Sequence, residues 1–317
     1  MKAAIRRNYC SPSQIVVEPI EKPIPKDHEV LIKVYATTVN RTDCANLTAK
    51  PFIMRFFLGL FKPRKIILGT DFAGEVISVG RNVNSVNVGD RVFGFNDSGS
   101  ESQAEYLATV ESNIFPIPRD IDYKHAAASL EGAHYAYSFI HKVKIKPGQS
   151  ILINGATGGI GSALLQFVRQ YDVKVAATCN TKNIKLIQDL GADKVIDYTK
   201  EYFTADDEKY DFIFDTVGKS TFGKCKSILN AKGVYTSSEL GPYSQNVFYP
   251  LVTSISSKKV IFPIPLNKKK TIPFISNQLE SGNFKPVIDR EYQLEDISKA
   301  YEYVIKGKKT GNVIINI

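Results

Sequence analysis

Asn154-Gly155-Ala156-Thr157-Gly158-Gly159-Ile160-Gly161 is the stretch on which the reading of this chain turns. The apolar run Ser150-Ile-Leu-Ile-Asn154 before it suits a strand. After it, residues 160–171 place Ile160, Leu164, Phe167, Val168 and Tyr171 on one stripe of a helix. Glycines at 155, 158 and 161 let the backbone turn tightly and approach a diphosphate. The helix N-terminus then offers that diphosphate unpaired N–H groups and the positive end of its dipole. Glycine-rich strand–helix turns also occur without a ligand, but a second strand, Val173–Thr178, follows at the spacing a dinucleotide-binding unit requires. The expectation is dinucleotide binding through Gly155, Thr157, Gly158, Gly159, Ile160 and Gly161.

The end of that second strand bears on which dinucleotide. A carboxylate there would hold the ribose 2′-OH of NAD. The chain instead reads Thr178-Cys-Asn180-Thr181-Lys182-Asn183, with no acid. A cation and neutral donors suit a 2′-phosphate, so NADPH is expected on Asn180, Thr181 and Lys182. Asn180 or Thr181 equally suits a cap on the following helix, and one residue can do both.

Working outward, residues 182–190 read as a helix closed by Gly191, and 194–197, 211–215 and 233–237 as strands. Such alternation means a parallel sheet covered on both faces. Upstream the texture is β: Val30, Ile32 and Val34 alternate with Leu31, Lys33 and Tyr35, and short apolar runs at 74–80, 88–95 and 104–109 lie between turn signals. A small barrel or curled sheet fits. At 317 residues, two domains are expected. They are 123–264 for the dinucleotide domain, and 1–122 with 265–317, whose closing strand 311–317 rejoins the N-terminal half. Residues 51–65 break the β pattern with Phe52, Ile53, Phe56, Phe57, Leu60 and Phe61 near helical spacing among basic residues. A helix packed on its own domain is expected; a wall of an apolar pocket or a membrane-surface helix are the alternatives.

Composition narrows the class. Hydrophobic residues are 43% and charged residues 23% of the chain, ordinary for a globular protein. The net charge of +9 reads first as a basic surface and second as a field for an anionic ligand. The densest basic run, Lys268–Lys270, has no interleaved aromatics and reads as a turn, so no nucleic-acid partner is expected. Four separated cysteines without a CxxC pair argue against disulfides and a zinc knuckle. With no apolar run near the roughly 20 residues of a membrane span, a cytoplasmic protein without a membrane partner is the expectation.

The phosphate loop, with Leu190-Gly-Ala-Asp193 and Val195-Ile-Asp-Tyr198, resembles the quinone oxidoreductase branch of the medium-chain dehydrogenases/reductases. Val39-Asn-Arg-Thr-Asp43, Leu68-Gly-Thr-Asp-Phe-Ala-Gly74, Val88-Gly-Asp-Arg-Val92, Ala104-Glu-Tyr106 and Thr310-Gly-Asn-Val-Ile314 carry the likeness across nearly the whole chain. The resemblance implies an α/β architecture: a Rossmann doubly wound parallel sheet plus a GroES-like β-rich catalytic domain, with the cofactor in the cleft between them. It implies that Lys182 and Tyr198 meet the 2′-phosphate, that Asn40 lies beside the nicotinamide, and that Val217 and Ser237 line the cofactor's path. It also implies a homodimer joined at Rossmann sheet edges, for which Lys258–Phe262 is the candidate strand.

Zinc enzymes of this superfamily take metal on Cys-x-Thr-Asp and Gly-His-Glu motifs. This chain has Asn40-Arg-Thr-Asp43 and Gly69-Thr-Asp71 there, and Glu131 alone near the third position cannot hold a catalytic zinc. No metal site is expected. Without a metal to form an alkoxide, hydride addition to a conjugated carbonyl or quinone becomes the expected reaction. Asn40, Tyr135 and Glu131 are the candidate catalytic groups. The alternatives are an enoyl-thioester reductase and an NADPH-binding redox sensor with little turnover.

Overall fold

A computed structural model describes residues 1–264 and 268–317. The chain forms two compact units: Met1–Glu131 with Lys285–Ile317, and Gly132–Phe284. The domain boundaries read from sequence were placed after 122 and after 264; the second adjoins residues 265–267, outside the described residues. The helix Tyr123–Ala128 packs on strands Glu29–Val39, Asp71–Val79 and Asn312–Asn316, and so belongs to the first unit. The helix Lys268–Glu280 sets Phe274 against Phe167 and Tyr137, and so belongs to the second.

The second unit is built on six parallel strands in the spatial order Lys194–Asp197, Lys174–Cys179, Ser150–Asn154, Tyr210–Asp215, Leu229–Ser237, Lys259–Ile261. Chain order reverses between Ser150–Asn154 and Tyr210–Asp215, the switch point at which doubly wound sheets bind nucleotides. Strand alternation sends side chains to both faces. Ile213 joins Leu152, Tyr210 and Tyr235 on one face. Phe214, one residue on, meets Phe139 edge-on, with ring centroids 5.6 Å apart. Both faces are therefore covered, as the sequence texture indicated.

In the first unit, a seven-stranded sheet is organised around Glu29–Val39, which pairs antiparallel with Asp71–Val79, Tyr106–Val110 and Asn312–Asn316. Two register shifts curl the pair Glu29–Val39 and Asp71–Val79: Tyr35 is the extra residue on the first strand and Ile77 the extra residue on the second, and each bends and twists the strand that carries it. Val30, Ile32 and Val34 alternate into the core against Phe72, Val76 and Val92. The closing strand Asn312–Asn316 does return to this unit, pairing Val313 with Val39.

Three local readings change. The stripe helix ends at Val168, leaving Tyr171 beyond it and exposed. Lys268–Lys270 is the first turn of the helix Lys268–Glu280, because the apolar residues that bury that helix, Ile272, Ile275 and Leu279, all follow the basic run. Residues 51–65 form only a short helix, Met54–Leu58, and most of their apolar side chains face solvent instead of packing on the domain.

Candidate active site

The dinucleotide cradle starts where Ser150–Asn154 ends. The Asn154 amide donates to Asp215 Oδ1 at 3.0 Å and accepts the Thr178 hydroxyl at 2.8 Å, so three neighbouring strand ends are pinned together. Thr178 Oγ1 in turn accepts the Gly155 N–H at 2.9 Å. Gly155 lies at φ +84°, a left-handed conformation that glycine adopts without strain, and a Cβ there would stand 2.5 Å from Val217. Gly158 caps the helix Gly159–Val168 with extended backbone. A Cβ on Gly161 would lie 2.3 Å from the Gly155 carbonyl oxygen, so glycine is what lets helix and loop approach. Thr157, Gly158, Gly159 and Ile160 remain partly exposed over this buried base. The loop fits a diphosphate: it has a clear helix N-terminus, and around Gly158 nothing but the Gly155 carbonyl comes within 4 Å of a Cβ position.

The structure places Asn180, Thr181 and Lys182 at the end of strand Lys174–Cys179, with Lys182 exposed and Asn180 Oδ1 buried without a partner. Tyr198 joins them, its N–H donating to the Cys179 carbonyl at 3.0 Å. Sequence reading saw no acid here, but the adjacent parallel strand brings one. Asp197 accepts the Thr181 and Thr199 hydroxyls, and those hydrogen bonds hold its carboxyl below the usual range. Val217 packs over Gly155. Ser237 is buried, its hydroxyl accepting the Glu239 N–H, whereas its neighbour Ser238 has the partner-free buried oxygen.

The first unit assembles the other group of candidates. Asn40 caps the helix Arg41–Thr48, and its N–H donates to Asp43 Oδ2 at 2.8 Å. Its side-chain Nδ2 donates to Thr38 Oγ1 at 3.1 Å and to Asp71 Oδ2 at 3.4 Å. Asn40 Oδ1 accepts from Lys309 Nζ at 3.1 Å. The amide is therefore fixed in orientation, its Nδ2 donating to Thr38 and Asp71 and its Oδ1 accepting from Lys309. Thr70, where the zinc motif has histidine, donates to Asp43 Oδ1 at 3.1 Å. Both former metal positions are thus built into a hydrogen-bonded net anchored on Asp43 and Asp71. Cys44 packs in the core beside Val39 and Leu47, and burial pushes its thiol well up.

Glu131 is 7% exposed; its Oε1 accepts the Thr42 hydroxyl, and its Oε2 has no partner. Burial, then the charges of Asp43 and Asp97, pushes its carboxyl up to about 8, with Thr42 and Lys309 opposing. Burial likewise pushes Asp43 up to about 7 and, with Glu131 and Asp43 adding to it, raises Asp71 well above the usual range. Lys309 shifts the other way: burial lowers its ammonium, and Glu131 partly restores it. Lys309 also donates to the Gly311 carbonyl, which leaves a third N–H. This lysine, 269 residues from Asn40, was not legible as a site residue. Tyr135 lies one helical turn beyond Glu131 on Glu131–His141, partly exposed, with His134 edge-on to it. Tyr137 stacks on His141 and meets Phe274 at a tilt, as a packing residue does. Among the described residues, no group of three or more His, Cys, Asp or Glu is arranged to hold a metal.

This geometry can be set beside known proteins. Residues 26–137 match the alcohol dehydrogenase GroES-like domain family, and residues 190–315 match the zinc-binding dehydrogenase family. The chain is 32% identical to 2-methylene-furan-3-one reductase of Solanum lycopersicum, over all of this chain and 79% of that protein. It is 30% identical to the quinone oxidoreductase of Homo sapiens, over 93% of this chain and 91% of that one. Its fold superposes on the quinone oxidoreductase from Coxiella burnetii with a TM-score of 0.89 at 24% identity, covering 100% and 99% of the two chains. The dinucleotide cradle on a switch-point sheet, the curled β unit and these likenesses together make the chain an oxidoreductase of the quinone oxidoreductase branch of the medium-chain dehydrogenase/reductase family.

Proposed function

We propose that the protein is an NADPH-dependent reductase of quinones and α,β-unsaturated carbonyls that works without zinc. The observation carrying this reading is the hydrogen bond that holds Lys309 on Asn40, with the buried Glu131, bonded to Thr42, near enough for its charge to act on that lysine. Two of the similar proteins act, by their names, on a quinone and on a methylene-furanone, both conjugated acceptors.

NADPH, when bound, supplies the hydride. The residues of the chain handle the charge and the proton. As a conjugated acceptor is reduced, negative charge grows on its oxygen, and the third N–H of Lys309 is the donor that stabilises it. Glu131, neutral at pH 7, delivers the proton from Oε2 and is left as a carboxylate beside the lysine. Asn40 keeps Lys309 aimed, because its amide is held by Thr38 and Asp71. Tyr135 remains the second proton donor in this proposal.

NADPH is favoured over NADH because Lys182 and Asn180 offer a cation and an amide at the ribose end. The nearby Asp197 has its oxygens engaged by Thr181, Thr199 and, at 3.8 Å, Lys200. We further propose a homodimer through the edge strand Lys259–Ile261.

The test is oxidation of NADPH and NADH at 340 nm with a quinone, an alkenal, an enone, a crotonyl thioester and an alcohol–ketone pair, with and without chelator. Chelator-insensitive turnover of conjugated acceptors, faster with NADPH, is expected. Lys182→Ala should weaken NADPH binding by about tenfold or more and NADH binding little, since one charge-assisted contact to phosphate is removed. Preference for the thioester would move the reading to enoyl reduction. Tight NADPH binding without turnover would move it to a redox sensor.

A further inference from the structure

The segment Pro51–Lys65 presents an apolar, cationic face that neither the fold nor the proposed reaction uses. Its backbone is held firmly. The Arg64 N–H donates to the Leu58 carbonyl at 2.8 Å, the Gly59 N–H to the Arg55 carbonyl at 2.9 Å, and the Arg6 N–H to the Ile66 carbonyl at 2.9 Å. The Tyr9 hydroxyl donates to the Gly59 carbonyl at 2.5 Å. Leu58, Gly59 and Pro63 are buried as the base of this turn. The rest points outward: Phe52 is 63% exposed, Phe56 62%, Phe57 66% and Phe61 84%, with Ile53 and Leu60 beside them. Single exposed apolar residues are ordinary, but six within ten positions on an anchored turn are not.

Charge selects what would cover this face. Residues 50–65 hold Lys50, Arg55, Lys62, Arg64 and Lys65 and no Asp or Glu. Lys62 and Arg64 are exposed, and the Arg55 guanidinium lies over the rings of Tyr9 and Phe52, at 4.7 and 5.7 Å. Among the described residues, Lys65 is the one of these five with an ion-pair partner, Glu101 at 3.4 Å. Exposed aromatics rimmed by unpaired cations match an anionic lipid surface, where rings enter the headgroup boundary and Lys and Arg meet phosphate or carboxylate. No helix among the described residues is long and apolar enough to cross a membrane, so such an attachment would be peripheral.

We propose that Pro51–Lys65 is a docking turn that seats the enzyme on the surface of an anionic bilayer. This departs from the expectation, drawn from sequence, of a protein without a membrane partner. It rests on exposure and charge at this turn and is independent of which acceptor the enzyme reduces.

The experiment is co-sedimentation of the full-length protein with vesicles of phosphatidylcholine alone and of phosphatidylcholine mixed with phosphatidylserine, at low and high salt. The expected result is binding to the mixed vesicles that weakens with salt. The variant Phe56→Ser/Phe57→Ser should lower partitioning by at least about tenfold. The variant Lys62→Gln/Arg64→Gln should remove the preference for phosphatidylserine. Both should keep the wild-type melting temperature and sedimentation coefficient; should the serine variant misfold, the glutamine variant, changed only at exposed side chains, decides. Absence of vesicle binding would overturn the proposal, as would binding unchanged in the variants. A lighter sedimentation coefficient in a folded phenylalanine variant would overturn it in favour of a contact between copies of the chain.

Discussion

Glu131 keeps its proton at neutral pH because burial and the charges of Asp43 and Asp97 all oppose its ionisation. In the folded protein its carboxyl titrates near 8, against 4.5 ordinarily, so the native state holds a proton that the unfolded chain releases. Stability from this group is therefore present below 4.5 and declines as pH rises from there through about 8. Glu131→Gln keeps the neutral shape and removes the titration. The variant should melt higher than wild type at pH 8.5 and nearly alike at pH 5. Its kcat should fall by about 10²-fold, and the wild-type loss of turnover as pH rises through about 8 should vanish. A Gln variant that retains that alkaline limb would assign the proton to another group, Tyr135 first. The residues of this centre were unevenly legible. Asn40 and Glu131 stood where family motifs place ligands, whereas Lys309 reaches Asn40 only because the last strand returns to pair with Glu29–Val39.

At the scale of elements, the strand–loop–helix around Gly155 was readable because its constraints are local. Turn, helix start and strand end lie within twelve residues of one another. Its support is not local: Thr178 and Asp215 lock Asn154 from neighbouring strands. Replacing Gly161 with Ala puts a Cβ 2.3 Å from the Gly155 carbonyl, and relief requires the helix to shift away from the loop. The cost is about 1–3 kcal/mol of stability, with NADPH affinity falling as well. Melting curves with and without NADPH measure both; an unchanged shift on NADPH addition would mean the helix start does not carry the diphosphate. The turn at 51–65 shows the opposite limit. Helical spacing of its phenylalanines suggested a packed helix, but spacing does not reveal which face is covered, and here Leu58 and Pro63 are buried while the phenylalanines stay exposed.

For the whole molecule, the second unit exposes Phe248, Leu251, Val252 and Ile255, the last at 95%, close in sequence to the edge strand Lys259–Ile261. Among the described residues this strand ends the sheet, and a strand edge beside apolar side chains favours pairing with a second chain. Sedimentation velocity should show a dimer, and Leu251→Glu/Ile255→Glu should convert it to monomer with the dinucleotide site intact. A wild-type monomer at micromolar concentration would end the dimer proposal, whatever happens at the 51–65 turn.

The sequence by itself determined what depends on short spacing and alternation: the phosphate loop, the parallel sheet with both faces covered, the curled β unit, and the loss of both zinc-motif ligands at 40 and 70. These are properties of residues close in the chain, and local geometry is enough to express them. Only the tertiary structure decided which groups meet from afar. It brought Lys309 to Asn40, set Asp197 against Thr181, and buried Glu131 deeply enough to keep its proton. It also left the Phe52–Phe61 turn facing outward. Burial and long-range pairing arise from how strands return and helices pack, and no window of sequence contains them.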